Sequence, residues 1–465
     1  MEPRTIAAVC AGKVAGAASR ISRRGGGTAI AGLAALRIDP HVVRRLAKQA
    51  GGGAIVVTGT NGKTTTSLML SRIADAARLR PLHNRSGSNL MRGVAAMLVE
   101  EASPAGTIAH AAERLAILEV DEATLPEIVG EIAPRAVVFT NLFRDQLDRY
   151  GEVDTVAKSW ERALETLPPE TTLVLNADDP AVAHLGRSAR GRVLFYGIDD
   201  PGVAVDADEH ASDFRTCLEC GVELAYELTF YGHLGHWRCS ACPNRRPVPQ
   251  VRLSSATLEV DATALVIAMP GGADMRLRLP LAGVYNAYNA LAAVTGALAL
   301  DLPREAVASA LEGFSAAFGR QERFSIDGRD VRVLLGKNPT GLNQVMRTLV
   351  ARPGGKRLLF FLNDGIADGR DVSWIWDTDY ETLRPQAVWV LAAGTRCEDL
   401  ALRLKYAGFG DDVAIEHDAR AALRRALDAT PTGEALYVLP TYTAMLEVRE
   451  LLAGRGGARH FWEGA

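Results

Sequence analysis

Cysteine is scarce in this 465-residue chain: six residues, too few to staple so long a fold as a secreted disulfide framework would. Long apolar runs are missing as well. No stretch of about 18 apolar residues occurs, so no transmembrane helix is expected. An excess of either charge is lacking: 52 Lys and Arg face 55 Asp and Glu, and the net charge of −3 gives no bulk electrostatic reason to bind nucleic acid. Aromatics amount to only 6%, yet hydrophobic residues reach 48%, which excludes disorder and supplies packed cores. The length exceeds one ordinary core, so two or three domains are expected. The basic, Ala/Gly-rich N-terminus imitates a secretion signal, but Arg20, Arg23 and Arg24 follow its small residues and no apolar core precedes a cleavage site. Residues 1–50 therefore read as the helical lead-in of a cytoplasmic protein: a helix, a turn at Gly25–Gly27, and a second helix ending near Gln49.

From residue 51 the pattern changes to alternation. Ala54–Val57 is a short β-branched run that stops at Thr58-Gly59, and the segment from Lys63 to Ala77 is helical in character. Strand-like runs recur at Ala116–Val120, Ala136–Phe139 and Thr172–Leu175 with helical stretches between them, which predicts a doubly wound α/β domain on a parallel sheet. Its bounds are read as 51–318. Between about 206 and 248, cysteines and aromatics interrupt the alternation, the mark of an insert. A strand-rich stretch (Ala256–Met269) and a long Ala-rich helix (Leu281–Leu300) follow. A second alternating unit, residues 319–465, has strand runs at Val331–Leu335, Arg357–Leu362, Ala387–Leu391, Val413–Ile415 and Ala435–Leu439. It is expected to form a separate Rossmann-like α/β domain.

Thr58-Gly59-Thr60-Asn61-Gly62-Lys63-Thr64-Thr65-Thr66 lies between the first strand and its helix. That is the setting a phosphate loop needs: glycines admit phosphate to the backbone, the helix N-terminus presents free N–H groups, and a lysine neutralises charge. Thr60, Asn61, Gly62, Lys63, Thr64 and Thr65 are the candidate nucleotide contacts, with the Thr64 hydroxyl the candidate Mg²⁺ ligand. Val57 stands where the common motif has its first glycine.

The loop resembles that of the Mur ligase superfamily, and further strings match in the family's order: Gly87-Ser88-Asn89-Leu90, Leu118-Glu119-Val120-Asp121-Glu122, Thr140-Asn141-Leu142-Phe143-Arg144-Asp145-Gln146-Leu147-Asp148, Asn176-Ala177-Asp178-Asp179-Pro180, Tyr285-Asn286-Ala287-Tyr288-Asn289, Phe318-Gly319-Arg320-Gln321-Glu322 and Lys337-Asn338-Pro339-Thr340. The resemblance implies a Mur ligase-like fold and an ATP- and Mg²⁺-dependent carboxylate ligase. It gives Glu119 a Mg²⁺-binding and catalytic role, with Glu122 the competing ligand. Lys63 neutralises the transferred phosphoryl group, Asn286 and Asn289 face adenine, and Arg320 couples domain closure to phosphate. Gln146 stands where many relatives carry a metal-binding histidine, so a second Mg²⁺ is absent or held differently. Lys158 is the candidate for the lysine that relatives carbamoylate, against the plain reading of a surface lysine.

Cys217-x-x-Cys220 and Cys239-x-x-Cys242 enclose the 18 residues from 221 to 238. Two such knuckles read as a structural Zn²⁺ site that closes its own tetrahedron, a zinc ribbon, in an insert too small for a core of its own. His233 and His236, between the knuckles, read as surface or strand residues, and Cys10 and Cys397 as buried thiols.

The C-terminal unit carries Asn363-Asp364-Gly365-Ile366-Ala367-Asp368-Gly369-Arg370-Asp371-Val372-Ser373-Trp374-Ile375-Trp376-Asp377 on a loop after a predicted strand, where function collects in such sheets. With the cysteine insert, these strings resemble the MurT branch of the superfamily. That resemblance implies amidation of the D-glutamate α-carboxyl of lipid II at the inner membrane face. Ammonia would come from a GatD-like glutaminase partner, whose Cys–His pair is completed by a C-terminal aspartate. Asp371 is the first candidate, with Asp377 and Asp368 behind it. No glutaminase Cys–His constellation is visible in the sequence. The alternative is a conventional Mur-type or folylpolyglutamate-type amino-acid ligase.

Overall fold

The computed structural model describes residues 2–21, 28–84, 88–145, 153–205, 213–315, 320–411 and 413–456. Among them, no helix is long and apolar enough to cross a membrane. The first sheet is seeded by β1 (Ala54–Thr58), buried along its whole length. It is joined by β2 (Arg80–His83), β3 (Arg114–Glu119), β4 (Ala136–Phe139), β5 (Thr172–Asn176) and β6 (Val193–Ile198), all in parallel register. The insert contributes a separate hairpin, β7 (Leu224–Tyr231) and β8 (Leu234–Cys239). Then β9 (Val251–Leu258), β10 (Thr263–Ala268) and β11 (Met275–Leu279) extend the first sheet to the order β11-β10-β9-β6-β5-β4-β1-β3-β2.

Period-two alternation places Ile55 and Val57 in one core and Ala54 and Val56 in the other, so β1 is covered on both faces and reads as a continuous apolar run. The helices Lys63–Ala76 and Val284–Ala299 supply much of the first core. The sheet is not purely parallel as expected: β9–β10 and β10–β11 pair antiparallel. The reason lies in the burial pattern of β11, where Met275, Leu277 and Leu279 are buried and Arg276 and Arg278 exposed; a strand with one wet face suits a meander. Because β1 lies between β3 and β4, the chain reverses direction across the sheet there, and the loop after β1 opens at that switch point.

The second sheet runs β12-β13-β17-β14-β15-β16, from β12 (Arg320–Ile326), β13 (Arg329–Leu334), β14 (Lys356–Phe361), β15 (Ala387–Ala393), β16 (Ala414–Glu416) and β17 (Ala435–Pro440). Its core also lies on both faces: Leu359 and Phe361 on one, Leu358 and Phe360 on the other.

The lead-in departs from its expected form. Its second helix is two, Thr28–Ile38 and Val42–Ala47, separated at Asp39-Pro40. Proline has no N–H to continue the ladder, and the buried Asp39 carboxylate instead accepts from the His41 N–H, Thr5 Oγ1 and Arg45, pinning the bend.

Candidate functional site

The loop after β1 is held by the segment that follows β4. Thr60 N–H donates to the Asn141 carbonyl (2.9 Å), Asn61 N–H to Asn141 Oδ1 (2.9 Å), and Thr140 Oγ1 to the Asn61 carbonyl (2.7 Å). The Thr60 hydroxyl bonds both the N–H and the carbonyl of Phe143. Gly62 has φ of 87°, and a Cβ there would lie 2.1 Å from Asn289 Oδ1, so this position requires glycine. Lys63 opens the helix Lys63–Ala76 and is buried; its Nζ donates to the Gly59 and Thr60 carbonyls and to Glu122 Oε2 at 2.9 Å. Glu122 is buried too, which pushes its carboxyl above the usual range, while Lys63 pulls the other way. Thr64 Oγ1 donates to Glu119 Oε1 at 2.9 Å. Glu119 Oε2 is buried without a hydrogen-bond partner. An orphaned carboxylate oxygen beside a hydroxyl is a donor set that fits a hard divalent cation.

The second sheet reaches this loop directly. Asn338 Nδ2 donates to Asn61 Oδ1 at 3.0 Å, while Asn338 Oδ1 caps the helix Pro339–Val350. Lys337 pairs with the buried side chain of Asp145. The two sheets thereby enclose a cleft whose lining includes Thr60, Gly62, Tyr285, Asn286, Asn289 and Gln344. Asn286 and Asn289 are buried on the first turns of the helix Val284–Ala299, with Asn289 Nδ2 donating to Asn286 Oδ1.

Tyr231, from the insert hairpin, lines the same cleft. It stacks on Phe143 (centroids 5.9 Å, planes 19° apart), and His233 lies 4.4 Å from that ring. At the other end of the hairpin Cys217, Cys220, Cys239 and Cys242 converge, their Sγ atoms within 4.8 Å of one another. The Cys217–Cys242 and Cys220–Cys239 sulfurs are 3.6 and 3.4 Å apart. That is too far for a disulfide bond of about 2.05 Å and close to the edge of a tetrahedron with bonds of about 2.3 Å. Cys217 is held down at about 6, burial opposing the Asn244 side-chain amide and backbone N–H groups that favour its thiolate.

In the C-terminal loop the three acids separate. Asp368 is buried and accepts from the N–H and hydroxyl of Thr443. Asp377 lies 3.8 Å from Arg144. Asp371 is exposed; Ser373, through its hydroxyl and then its N–H, holds that carboxyl below the usual range.

Residues 57–234 match the Mur ligase middle domain, and residues 335–445 match the MurT ligase C-terminal domain. Over 460 residues the chain is 32% identical to the lipid II isoglutaminyl synthase (glutamine-hydrolyzing) subunit MurT of Staphylococcus aureus (strain N315), spanning 97% of this chain and 98% of that one. The chain belongs to the MurT family. The corresponding MurT subunit of Streptococcus pneumoniae is 33% identical over 96% of this chain and 97% of its own. Among solved structures, a pseudomurein peptide ligase type C from Methanothermus fervidus superposes with a TM-score of 0.66 at 20% identity, over 86% of this chain and 78% of that one. MurF from Thermotoga maritima in complex with ADP gives 0.63 at 12% identity, over 90% and 84%. These two likenesses establish the Mur ligase-like α/β fold, with its central sheet and C-terminal α/β unit. Mur ligases depend on ATP and Mg²⁺.

Against this MurT frame, the fold gathers Thr60, Asn61, Gly62, Lys63, Thr64, Thr65 and Glu119 on and beside one loop, with Asn286 and Asn289 across from it. Glu122, weighed as a competing metal ligand, pairs with Lys63. Lys158 is exposed on the helix Val153–Leu164. Gly87, Gln146, Phe318, Gly319 and the Arg320 side chain lie outside the described residues. Cys10 is exposed rather than buried, because its helix turns that face to solvent. His233 is fully enclosed rather than at the surface: it sits in the turn after β7, against Phe143 and Phe214 and 3.4 Å from Asp179. Sequence reading missed Tyr231, which carries no motif, and the pairing of Cys397 with His417, whose Sγ and Nδ1 are 3.5 Å apart. Cys397 is fully buried, and chiefly that burial pushes its thiol up to about 11.

Proposed function

We propose that this chain is the ATP-dependent ligase subunit of a lipid II isoglutaminyl synthase, converting the D-glutamate α-carboxyl of the stem peptide to its amide with ammonia from a GatD-like glutaminase. Near full-length similarity to two MurT subunits supports the reaction class. The observation that carries it is the meeting, around the loop after β1, of an acid with an orphaned buried oxygen on Thr64 and the second sheet's Asn338 on Asn61. We assign residues 1–50 to a lead-in, 51–318 to the nucleotide unit and 319–465 to the C-terminal unit.

Thr64 Oγ1 and Glu119 would hold Mg²⁺, which supplies positive charge to the phosphates when bound. Lys63 would move from the Gly59 and Thr60 carbonyls to the β- and γ-phosphates, Asn286 and Asn289 would address adenine, and Arg320 the phosphate side. A glutamate carboxylate oxygen attacks the γ-phosphorus and ADP departs, leaving an acyl phosphate. Ammonia then attacks the acyl carbon, phosphate leaves, and loss of a proton gives the amide. Cys217, Cys220, Cys239 and Cys242 would bind structural Zn²⁺, making the insert a zinc ribbon. The chain would meet lipid II at the inner membrane face.

Glu119→Gln retains the bond to Thr64 but removes the charge. Its kcat for ATP is expected to fall about 10²–10³-fold, with a raised Mg²⁺ requirement and an unaltered melting temperature. Phosphate release measured across a Mg²⁺ titration checks this; unchanged turnover would remove Glu119 from the site.

Of the three C-terminal acids, Asp371 alone is both exposed and without an ion pair among the described residues, which supports it as the one offered to the glutaminase. Asp371→Ala is expected to lower glutamine-dependent amidation of lipid II about 10²–10⁴-fold, the range of a lost orienting acid, and to leave ammonia-dependent amidation intact. Mass analysis of the lipid II product with each nitrogen source decides it. Equal loss from both sources would make Asp371 structural, and ATP-dependent addition of an amino acid in place of ammonia would sink the whole reading.

A further inference from the structure

Three ligating side chains meet at the C-terminal edge of the second sheet, away from both the nucleotide cleft and the insert cysteines. β15 and β16 are parallel, with Ala393 opposite Glu416, so the segments leaving them start side by side. Cys397 opens the helix that follows β15, Glu398 is its neighbour, and His417 comes directly after β16. Cys397 Sγ is 3.5 Å from His417 Nδ1, 3.8 Å from its Nε2, and 3.3 Å from Glu398 Oε2. Glu398 Oε1 is 2.9 Å from His417 Nε2. One ligand atom from each residue thus falls within 4.8 Å of the others.

A tetrahedral ion with bonds of about 2.0–2.3 Å holds its ligands about 3.3–3.8 Å apart; the three Cys397 distances fall in that range, and the Glu398–His417 contact at 2.9 Å would widen on binding. We propose that Cys397, Glu398 and His417 form a second transition-metal site, suited to Zn²⁺, with three protein ligands and one position open to solvent. Sulfur and imidazole nitrogen select a borderline-soft ion such as Zn²⁺ over Mg²⁺ or Ca²⁺, whose ligands are oxygens. Entry is open, since the side chains of His417 and Glu398 are 63% and 58% exposed. The rigid part is Cys397, fully buried at the start of its helix, so only the two exposed side chains adjust on binding. The ion would tie the end of β16, a strand of three residues at the sheet edge, to the helix after β15.

The test uses the full-length chain loaded with Zn²⁺ and freed of excess metal, with zinc released by a mercurial and counted. Wild-type protein is expected to hold two equivalents, the insert cysteines holding the other. His417→Ala and Glu398→Gln, both at exposed side chains, are expected to hold one. Cobalt loading gives a second readout: the thiolate-to-cobalt absorption should decrease in Cys397→Ala and survive from the insert. Equal zinc content in wild type, His417→Ala and Glu398→Gln overturns the proposal. So does glutamine hydrolysis by the chain alone that Cys397→Ala abolishes, because the cluster would then be a nucleophile and its base.

Discussion

Lys63→Ala is expected to abolish ATP turnover, by about 10³-fold or more, and to lower stability at neutral pH by about 3–5 kcal/mol. The two losses have different origins. Turnover falls because the γ-phosphoryl group loses the cation that neutralises it in transfer. Stability falls because Glu122, 4% exposed, keeps its charge in the interior without the Nζ that met it at 2.9 Å. Burial raises the Glu122 carboxyl above its ordinary value, and Lys63 opposes that rise, so removing Lys63 raises it further. The sign then follows from linkage. A carboxyl whose folded pKa exceeds its unfolded one binds its proton more tightly in the native state, so stability declines as pH climbs from the unfolded value through the folded one. The variant should therefore melt closest to wild type at mildly acidic pH and diverge from it towards neutrality. Adding Glu122→Gln should restore the neutral-pH melting temperature while turnover stays absent. Melting curves across pH, together with phosphate release, separate the two effects. A double variant that regains turnover would remove Lys63 from the phosphoryl path.

What could be read beforehand follows from how locally each feature is encoded. Ala54–Val57 of β1 and Leu358–Phe361 of β14 are buried on both faces and read as short apolar runs, and the loop after β1 is contiguous. β2, Arg-Pro-Leu-His, is too short and polar to announce itself, since only Leu82 and His83 are buried. β12 hides for another reason: it belongs to a hairpin whose turn is Asp327-Gly328, at φ of 49° and 73°. That dipeptide is a strong hairpin signal in the sequence, yet the strand runs read there begin only at Val331. The deeper misses are pairings across distance. Glu122 is 59 residues from Lys63, and His417 is 20 from Cys397; nothing in either neighbourhood names its partner. The sequence pattern singled out the loop after β1, but only the sheet's switch point brings Glu119 and Glu122 to its helix start, one on Thr64 and the other on Lys63.

With Zn²⁺ held by the four insert cysteines, as proposed, stripping it is expected to weaken ATP binding about three- to tenfold, although none of the four lines the nucleotide cleft. The insert's own contribution to its apolar cluster is small: Leu224, Trp237 and two of the cysteines themselves, Cys217 and Cys239, packed with Ala183 of the neighbouring helix. Such a core does not hold a hairpin closed unaided, whereas structural zinc contributes about 10–16 kcal/mol in small domains. The hairpin is moored to the first sheet by Trp237 Nε1 on the Ala177 carbonyl and by Arg246 on Asp178, and Asp178 also accepts from Tyr288. Its far end presents Tyr231 and His233 to Phe143. Phe143 in turn holds the Thr60 hydroxyl through both its backbone groups. Melting the cysteine end therefore frees Phe143, and the loop after β1 loses about one hydrogen bond's worth of support, about 1 kcal/mol, the source of the expected factor. The defect should appear in the ATP Kd and KM more than in kcat, because Lys63, Thr64 and Glu119 are anchored from the other side of the loop. Cys220→Ser, at an exposed ligand, gives the same test without chelator. Calorimetry with a non-hydrolysable ATP analogue, alongside counted zinc, reads the outcome. Zinc-free protein that binds the analogue as tightly as the loaded form would show that Tyr231 and Phe143 keep their stack without the metal.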